Sequence, residues 1–333
     1  MRYLITGAAG FVGSHLSSRL FSSGNTVLGL DNFSPYYSPE LKKLRVAMLL
    51  TPLGIDVRDV DLADLQSFQA VVKDYQPEAV IHLAAQPGVR TPLGKSYQYI
   101  QNNVVAFSNV LQTSIQECIP EFLYASSSSV YGNSLNIPYR EDDSSIHPIS
   151  IYGATKLANE ILTPAFVNGS KTRARGMRFF TVYGPWGRPD MAYFRLIDSV
   201  LNGSEFKKFG GGEIKRDFTY IDDITTSIEK LSQELANRPE GYSDIVNIGG
   251  GKPHSLNDLI AVICKQLGSM PNLTETASNP NDTSYTNADV TRLKELTNSI
   301  PLVDLEVGVK STISWASQKE IRESLTGWTN STS

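Results

Sequence analysis

The chain of 333 residues is 41% hydrophobic, enough to bury a sizeable core as one large domain or as a domain with a smaller lobe. A formal net charge of −4 and a pI near 5.7 supply no general positive field, which argues against nucleic acid or an anionic membrane as a partner and leaves phosphate binding to local cations. No apolar run reaches membrane-spanning length and the first residues already read as a core strand, so neither a membrane anchor nor a signal peptide is expected.

Residues 2–6 read as a buried strand running into Gly7, Gly10 and Gly13, and a helix is predicted over 12–22. Glycines at that place let the backbone turn tightly, approach a pyrophosphate and pack helix on strand, with the helix amino terminus facing the anion. The spacing is G-x-x-G-x-x-G, with Phe11 and Val12 inside it, rather than G-x-G-x-x-G. A second strand over 26–30 ends in Asp31, 18 residues after Gly13. An acid there accepts ribose hydroxyls and repels a 2′-phosphate, which predicts NAD rather than NADP.

Further strands are predicted at 78–83 and 121–125, with Asp56 and Val57 ending a short one, and further helices at 62–74 and 97–117. This alternation predicts an α/β fold with a doubly wound, Rossmann-like parallel sheet, whose ligands gather beyond the carboxyl ends of the strands. Residues 133–150 and 184–222 carry the Pro, Gly and charge of long loops. The regular alternation fades after 180, so residues 1–180 are assigned to an NAD-binding domain. Residues 181–330 are assigned mainly to a smaller C-terminal substrate-binding lobe interleaved with it. The last residues, 326–333, are polar apart from Trp328 and are expected to fray.

If residues 151–168 form a helix, Tyr152 and Lys156 share a face, and an ammonium beside a phenol favours the phenolate needed in a base. Ser126 to Ser129 follow a strand and precede a turn, so their hydroxyls can point into the same cleft. His82 reads as a packed structural histidine. Cys118 and Cys264 have no His or Cys at metal-ligand spacing; they read as buried thiols of a reducing, cytoplasmic setting, and no metal is expected.

Together these segments resemble the extended short-chain dehydrogenase/reductase family, specifically its NAD-dependent sugar-nucleotide epimerases and dehydratases. The residues that carry the resemblance are Gly7 to Gly13, Asp31 and Asn32, Asp56 and Val57, His82 to Ala85, Asn103, the serine run before Val130, Tyr131 and Gly132, Tyr152 to Lys156, and Arg216 to Asp222. Within the family, residues 31–37, 84–90 and above all 178–191 look like the UDP-glucuronate 4-epimerases. The resemblance implies that Tyr152, Lys156 and Ser127 are catalytic. It implies that Gly7, Gly10, Phe11, Val12, Gly13, Asp31, Asn32, Asp56, Val57, Leu83, Ala84, Ala85 and Asn103 hold NAD, with Asp56 against the adenine amino group and Lys156 also on the nicotinamide ribose.

For the substrate, the resemblance points to Gln86, Arg90, Arg188 and Arg216 around the diphosphate or a carboxylate, and to Asp282 at the nucleoside ribose. Related 4,6-dehydratases carry an Asp-Glu pair where this chain has Ser128 and Ser129. Hydroxyls there, with Thr181, can bind a sugar carboxylate without charge repulsion. The implied reaction is transient oxidation at C4 of UDP-glucuronate and return of the hydride to give UDP-galacturonate. UDP-glucuronate decarboxylation and neutral UDP-hexose 4-epimerisation are the alternatives, followed by a non-enzymatic dinucleotide sensor. A homodimer is expected through the helices at 97–117 and 151–168, with Val104, Phe107 and Leu111 as a contact stripe.

Overall fold

The computed structural model describes residues 1–89, 93–277, 283 and 285–330. The first strands are β1 (Arg2–Thr6), β2 (Thr26–Asp31), β3 (Asp56–Asp59), β4 (Ala79–His82), β5 (Glu121–Ser127) and β6 (Arg173–Phe179). They are followed by β7 (Thr181–Tyr183), β8 (Glu205–Phe209), β9 (Lys215–Tyr220), β10 (Ser243–Ile248), β11 (Pro253–Ser255) and β12 (Asn272–Thr276). Seven of them form one sheet in the order β10-β6-β5-β4-β1-β2-β3, and every pair in it is parallel. This is the doubly wound, Rossmann-like architecture, with the strand order reversing beside β1. The remaining strands, all after residue 180, make a three-stranded sheet β11-β9-β7 and the pair β12-β8.

Helices α1 (Phe11–Ser22), α2 (Pro39–Arg45), α3 (Leu65–Tyr75), α4 (Ser96–Ile100), α5 (Ala106–Gln116), α6 (Ile151–Val167), α7 (Ala192–Asn202) and α8 (Ile221–Leu235) follow in chain order. Period-two alternation decides which face each strand residue supplies. Ile5, Ile81, Leu123 and Met177 pack with Leu16 and Leu20 of α1 and Ile224 and Ile228 of α8. Their neighbours Leu4, Val80 and Phe122 face the other way, toward Phe68 of α3 and Phe107 and Leu111 of α5. Each such side chain, fully removed from water, contributes about 2 kcal/mol.

The structure departs from the sequence reading at several points. Residues 184–222 are not a long loop but hold α7, β8 and β9; their elements are short and pair with distant segments, such as β9 with β7 and β11. The helix predicted at 97–117 is present over Ser96–Gln116, with a π-turn over Gln101–Val105 inside it. Phe107 and Leu111 are fully buried against the sheet, so they cannot supply an external contact stripe. The carboxyl-terminal segment stays helical over Lys319–Asn330 because Trp328, 4% exposed, anchors it in the core. Cys118 is exposed and Cys264 only partly covered, which corrects their reading as buried thiols.

Candidate active site

The serine turn and α6 meet because the sequence removes what would hold them apart. Ser150 caps α6, its hydroxyl accepting the Gly153 amide at 3.0 Å. Gly153 then lets the helix close on the serine turn, since a Cβ there would lie 2.6 Å from the Ser129 carbonyl oxygen. Ser127, the last residue of β5, is 8% exposed; it donates to Ser129 Oγ at 3.2 Å and lies close enough to Tyr152 to pull the phenol's pKa down. Lys156 is buried one turn along α6, its Nζ 5.9 Å from the Tyr152 ring centre and donating to the Ala125 carbonyl at 2.8 Å.

The electrostatics differ from the simple ammonium-beside-phenol expectation. Burial raises the Tyr152 pKa, and what pulls against it is the charge of Arg188 followed by the Ser127 hydroxyl. Lys156 is itself pushed down to about 8, by burial against the opposing pull of Glu160. Arg188 is clamped by Asp190, with Nε 3.0 Å from Oδ1 and Nη2 on Oδ2. Tyr36 enters the same cleft: burial, then the Asp190 charge, pushes its pKa up to about 12, and the charges of Arg188 and Tyr152 also reach it. Tyr36 and Asp190 were not singled out from sequence, because only the crossing of the 31–37 and 184–190 segments brings them to Tyr152.

Beneath this cleft a buried ion pair ties three elements together. Glu160 of α6 accepts from Arg178 of β6 at 2.9 and 2.8 Å and from the Ser126 hydroxyl of β5. Arg178 also donates to the Tyr131 hydroxyl at 2.7 Å, and Tyr131 donates to Asn247 of β10 at 2.8 Å.

The glycine turn between β1 and α1 fits a dinucleotide's pyrophosphate. Gly7 has φ +72°, and a Cβ on it would sit 2.8 Å from the Ala84 amide nitrogen. Gly10 caps α1 without a side-chain acceptor, which leaves first-turn amides around Phe11 and Val12 for an anion. Gly13 packs against the turn; a Cβ there would fall 2.1 Å from the Gly7 carbonyl oxygen. Asp31, 8% exposed, accepts from the Ala9 and Phe33 amides at 3.1 and 2.8 Å and lies 3.6 Å from Lys42 Nζ. Asn32 is exposed, and Leu83, Ala84 and Ala85 are half-buried just past β4. His82 is buried, bonded to Thr6 at 2.9 Å, and burial lowers its pKa to about 3, as suits a packed neutral histidine.

One sequence assignment changes. Asp56 and Val57 open β3 rather than end it: Asp56 pairs in register with Leu28, three residues before Asp31, and its carboxylate turns to Arg58 at 3.1 Å. It therefore lies roughly 10 Å of strand away from the ligand end. Asp61 and Leu62 follow β3 at its carboxyl end, and counting from the strand's end instead of its start points to them. Asn103 is buried with both amide hydrogens engaged, on the Gln86 carbonyl and on Thr155, each at 3.1 Å. Its oxygen also accepts from the Gln86 amide at 2.7 Å. It clips the loop after β4 to α6 and so positions the cleft floor, Gln86 included.

Ser128, Ser129 and Thr181 are half-buried. They lie past the same end of adjacent strands, because Ser127 pairs with Phe179 and Thr181 follows two residues later. Arg216 is on β9, the strand that pairs with β7 through Thr181 and Phe218, and its charge lowers the Tyr139 pKa against burial. Arg90 and Asp282 lie outside the described residues.

A family model described as NAD dependent epimerase/dehydratase matches residues 3–249. The chain is 37% identical over 332 residues to a probable UDP-glucuronate 4-epimerase of Rhizobium meliloti (strain 1021), covering 96% of this chain and 97% of that one. It resembles the UDP-glucuronic acid 4-epimerase from Bacillus cereus, solved in complex with UDP-glucuronic acid and NAD, with a TM-score of 0.86 and 34% identity over 95% of this chain and 98% of that one. MoeE5, solved with UDP-glucose and NAD, matches with a TM-score of 0.82 and 32% identity over 98% of this chain and 100% of that one.

Proposed function

The chain belongs to the NAD dependent epimerase/dehydratase family, and we propose that it inverts C4 of a UDP-linked uronate, interconverting UDP-glucuronate and UDP-galacturonate. It is an NAD-dependent isomerase of a nucleotide sugar. The observation that carries the uronate reading is the site's chemistry at the ends of β5 and β6: Ser127 beside Tyr152, with hydroxyls rather than carboxylates at Ser128, Ser129 and Thr181.

When bound, NAD supplies a hydride acceptor that then becomes the donor, so C4 is oxidised and re-reduced with no net change. The chain's residues do the rest. Tyr152, with Ser127 beside it, removes the C4 hydroxyl proton and later returns it; Arg188 and Ser127 lower the pKa that burial raises. Lys156 is assigned to the nicotinamide ribose, and the Gly7 to Gly13 turn, Asp31 and the Asp61–Leu62 corner to the rest of the dinucleotide. Residues 181–330 are assigned mainly to the nucleotide sugar, with Arg216 and Asp282 at the UDP end. Ser128, Ser129 and Thr181 would hold the carboxylate in the plane of the sugar ring, where its bond is poorly aligned for loss as CO₂ from a 4-keto intermediate.

The enzyme is read as cytoplasmic, in keeping with a soluble nucleotide-sugar substrate and two unpaired cysteines. It is read as a homodimer through α4 and α6, whose neighbouring surfaces expose Tyr97, Ile100 and Ile161. The test of substrate and reaction is incubation with UDP-glucuronate, UDP-galacturonate and UDP-glucose, with products resolved by mobility and mass. An isomer of unchanged mass from the uronates alone is expected, absent in Tyr152→Phe. Equal turnover of UDP-glucose, or a product lighter by CO₂, would replace this reading by one of the alternatives.

A further inference from the structure

Arg45 is fully buried, yet no carboxylate among the described residues lies within ion-pair distance of it. It ends α2, one turn after Leu41, which is also fully buried in the core. Its guanidinium is spread over neutral acceptors on three segments. Nη1 donates to the Ala9 carbonyl at 3.2 Å and the Tyr37 hydroxyl at 2.6 Å; Nε donates to the Trp186 carbonyl at 2.8 Å and Nη2 to the Gly187 carbonyl at 2.9 Å. A buried cation without a matching anion is costly, and an anion bound nearby would offset that cost. Ala9 lies inside the Gly7 to Gly13 turn.

The other two carbonyls belong to a constrained loop. Trp186 has φ +60°, a left-handed conformation uncommon for an aromatic residue. Its ring centre is 5.2 Å from that of Trp315, and Gly184, at φ +148°, has no room for a Cβ beside Ile221. Arg188 follows directly, the residue whose charge acts on Tyr152.

We propose that Arg45 is a positioning residue that couples dinucleotide binding to the substrate side of the cleft: its charge answers the pyrophosphate through the glycine turn, and its fork holds the Trp186–Gly187 turn that presents Arg188. The proposal rests on the glycine turn being the NAD pyrophosphate site. Arg45→Lys separates the two halves, because an ammonium keeps the charge but cannot bond both loop carbonyls in the same fork.

The experiment uses full-length, cofactor-stripped protein in a Tyr152→Phe background, so that bound UDP-glucuronate is not turned over. NAD affinity and UDP-glucuronate affinity, each with and without the other ligand, are measured by calorimetric titration. With Arg45 intact, each ligand should tighten the other about fivefold or more. Arg45→Gln should weaken NAD about tenfold, whereas Arg45→Lys should restore NAD binding to within about threefold yet abolish the coupling. If Arg45→Gln does not fold, Arg45→Lys alone decides, since only the coupling distinguishes the proposal from a structural role. Unchanged coupling in Arg45→Lys overturns it, as does NAD binding in Arg45→Gln equal to that of the parent. Failure of the parent itself to bind NAD would instead reject the assignment of the glycine turn.

Discussion

Lys156 shows how a buried charge can work against the stability of the fold that holds it. It is 1% exposed, and its pKa falls from 10.5 to about 8 because burial disfavours the ammonium. The sign follows from linkage. Below about pH 8 the lysine is charged in both folded and unfolded chains, and the folded state carries the cost. Between about 8 and 10.5 the folded state sheds the proton first, so stability rises with pH across that window. The shift corresponds to at most about 3 kcal/mol, offset by roughly 1 kcal/mol for the hydrogen bond to Ala125. Cofactor-free Lys156→Met should therefore be more stable than the parent at pH 7 by about 1–2 kcal/mol, with the gap closing toward pH 10, while turnover and NAD retention both fall. Calorimetric melting of the two proteins across that range checks this; a parent more stable at pH 7 would make Lys156 a structural lysine. At this scale the shared face of Tyr152 and Lys156 was legible in the sequence because both lie on α6, whereas Ser127, on β5, was reached only through the family resemblance. The cation acting on Tyr152 was not legible, because Arg188 reaches it only through the path of a distant loop.

Between residues and the whole fold, the Glu160–Arg178 pair fixes the height of α6 on the sheet. Both side chains are at most 5% exposed, and Ser126, bonded to the same carboxylate, immediately precedes Ser127. Removing one partner strands a buried charge and should cost about 3–5 kcal/mol, whereas replacing both with apolar side chains removes the desolvation cost along with the attraction. Glu160→Met and Arg178→Met singly should each lower the urea midpoint sharply. The double variant should lose less than their sum by about 2 kcal/mol or more, measured from equilibrium unfolding. Strict additivity would mean that the pair does not act as a unit. The first half's strands and helices were legible because each apolar run or amphipathic period is complete in itself. The elements of 184–222 were not, since β8 has its partner in β12, some 67 residues away in the pairing of Glu205 with Asn272. The misplacement of Asp56 has the same origin: a four-residue strand gives no internal mark of which end meets the ligand.

At the scale of the molecule, the proposed dimer is decided by which apolar side chains the monomer leaves uncovered. The stripe expected from sequence fails that criterion for two of its three members, because Phe107 and Leu111 face the sheet while Val104 is half-buried. Periodicity shows that a helix has an apolar face but not what covers it. On α4 and α6 the exposed large apolar residues are Tyr97 at 67%, Ile100 at 47% and Ile161 at 67%. Two copies related by a two-fold axis would lay these residues against their own copies, each α4 and α6 facing the partner's pair. A charge among them is then paired with its own symmetry copy, so a single substitution is felt twice. Ile161→Asp should shift the protein from dimer to monomer at micromolar concentration, while the monomer, whose core lacks Ile161, keeps its melting cooperativity and binds NAD. Sedimentation equilibrium of parent and variant reads this directly. A parent that is already monomeric removes the dimer, and a variant that stays dimeric moves the interface to another face.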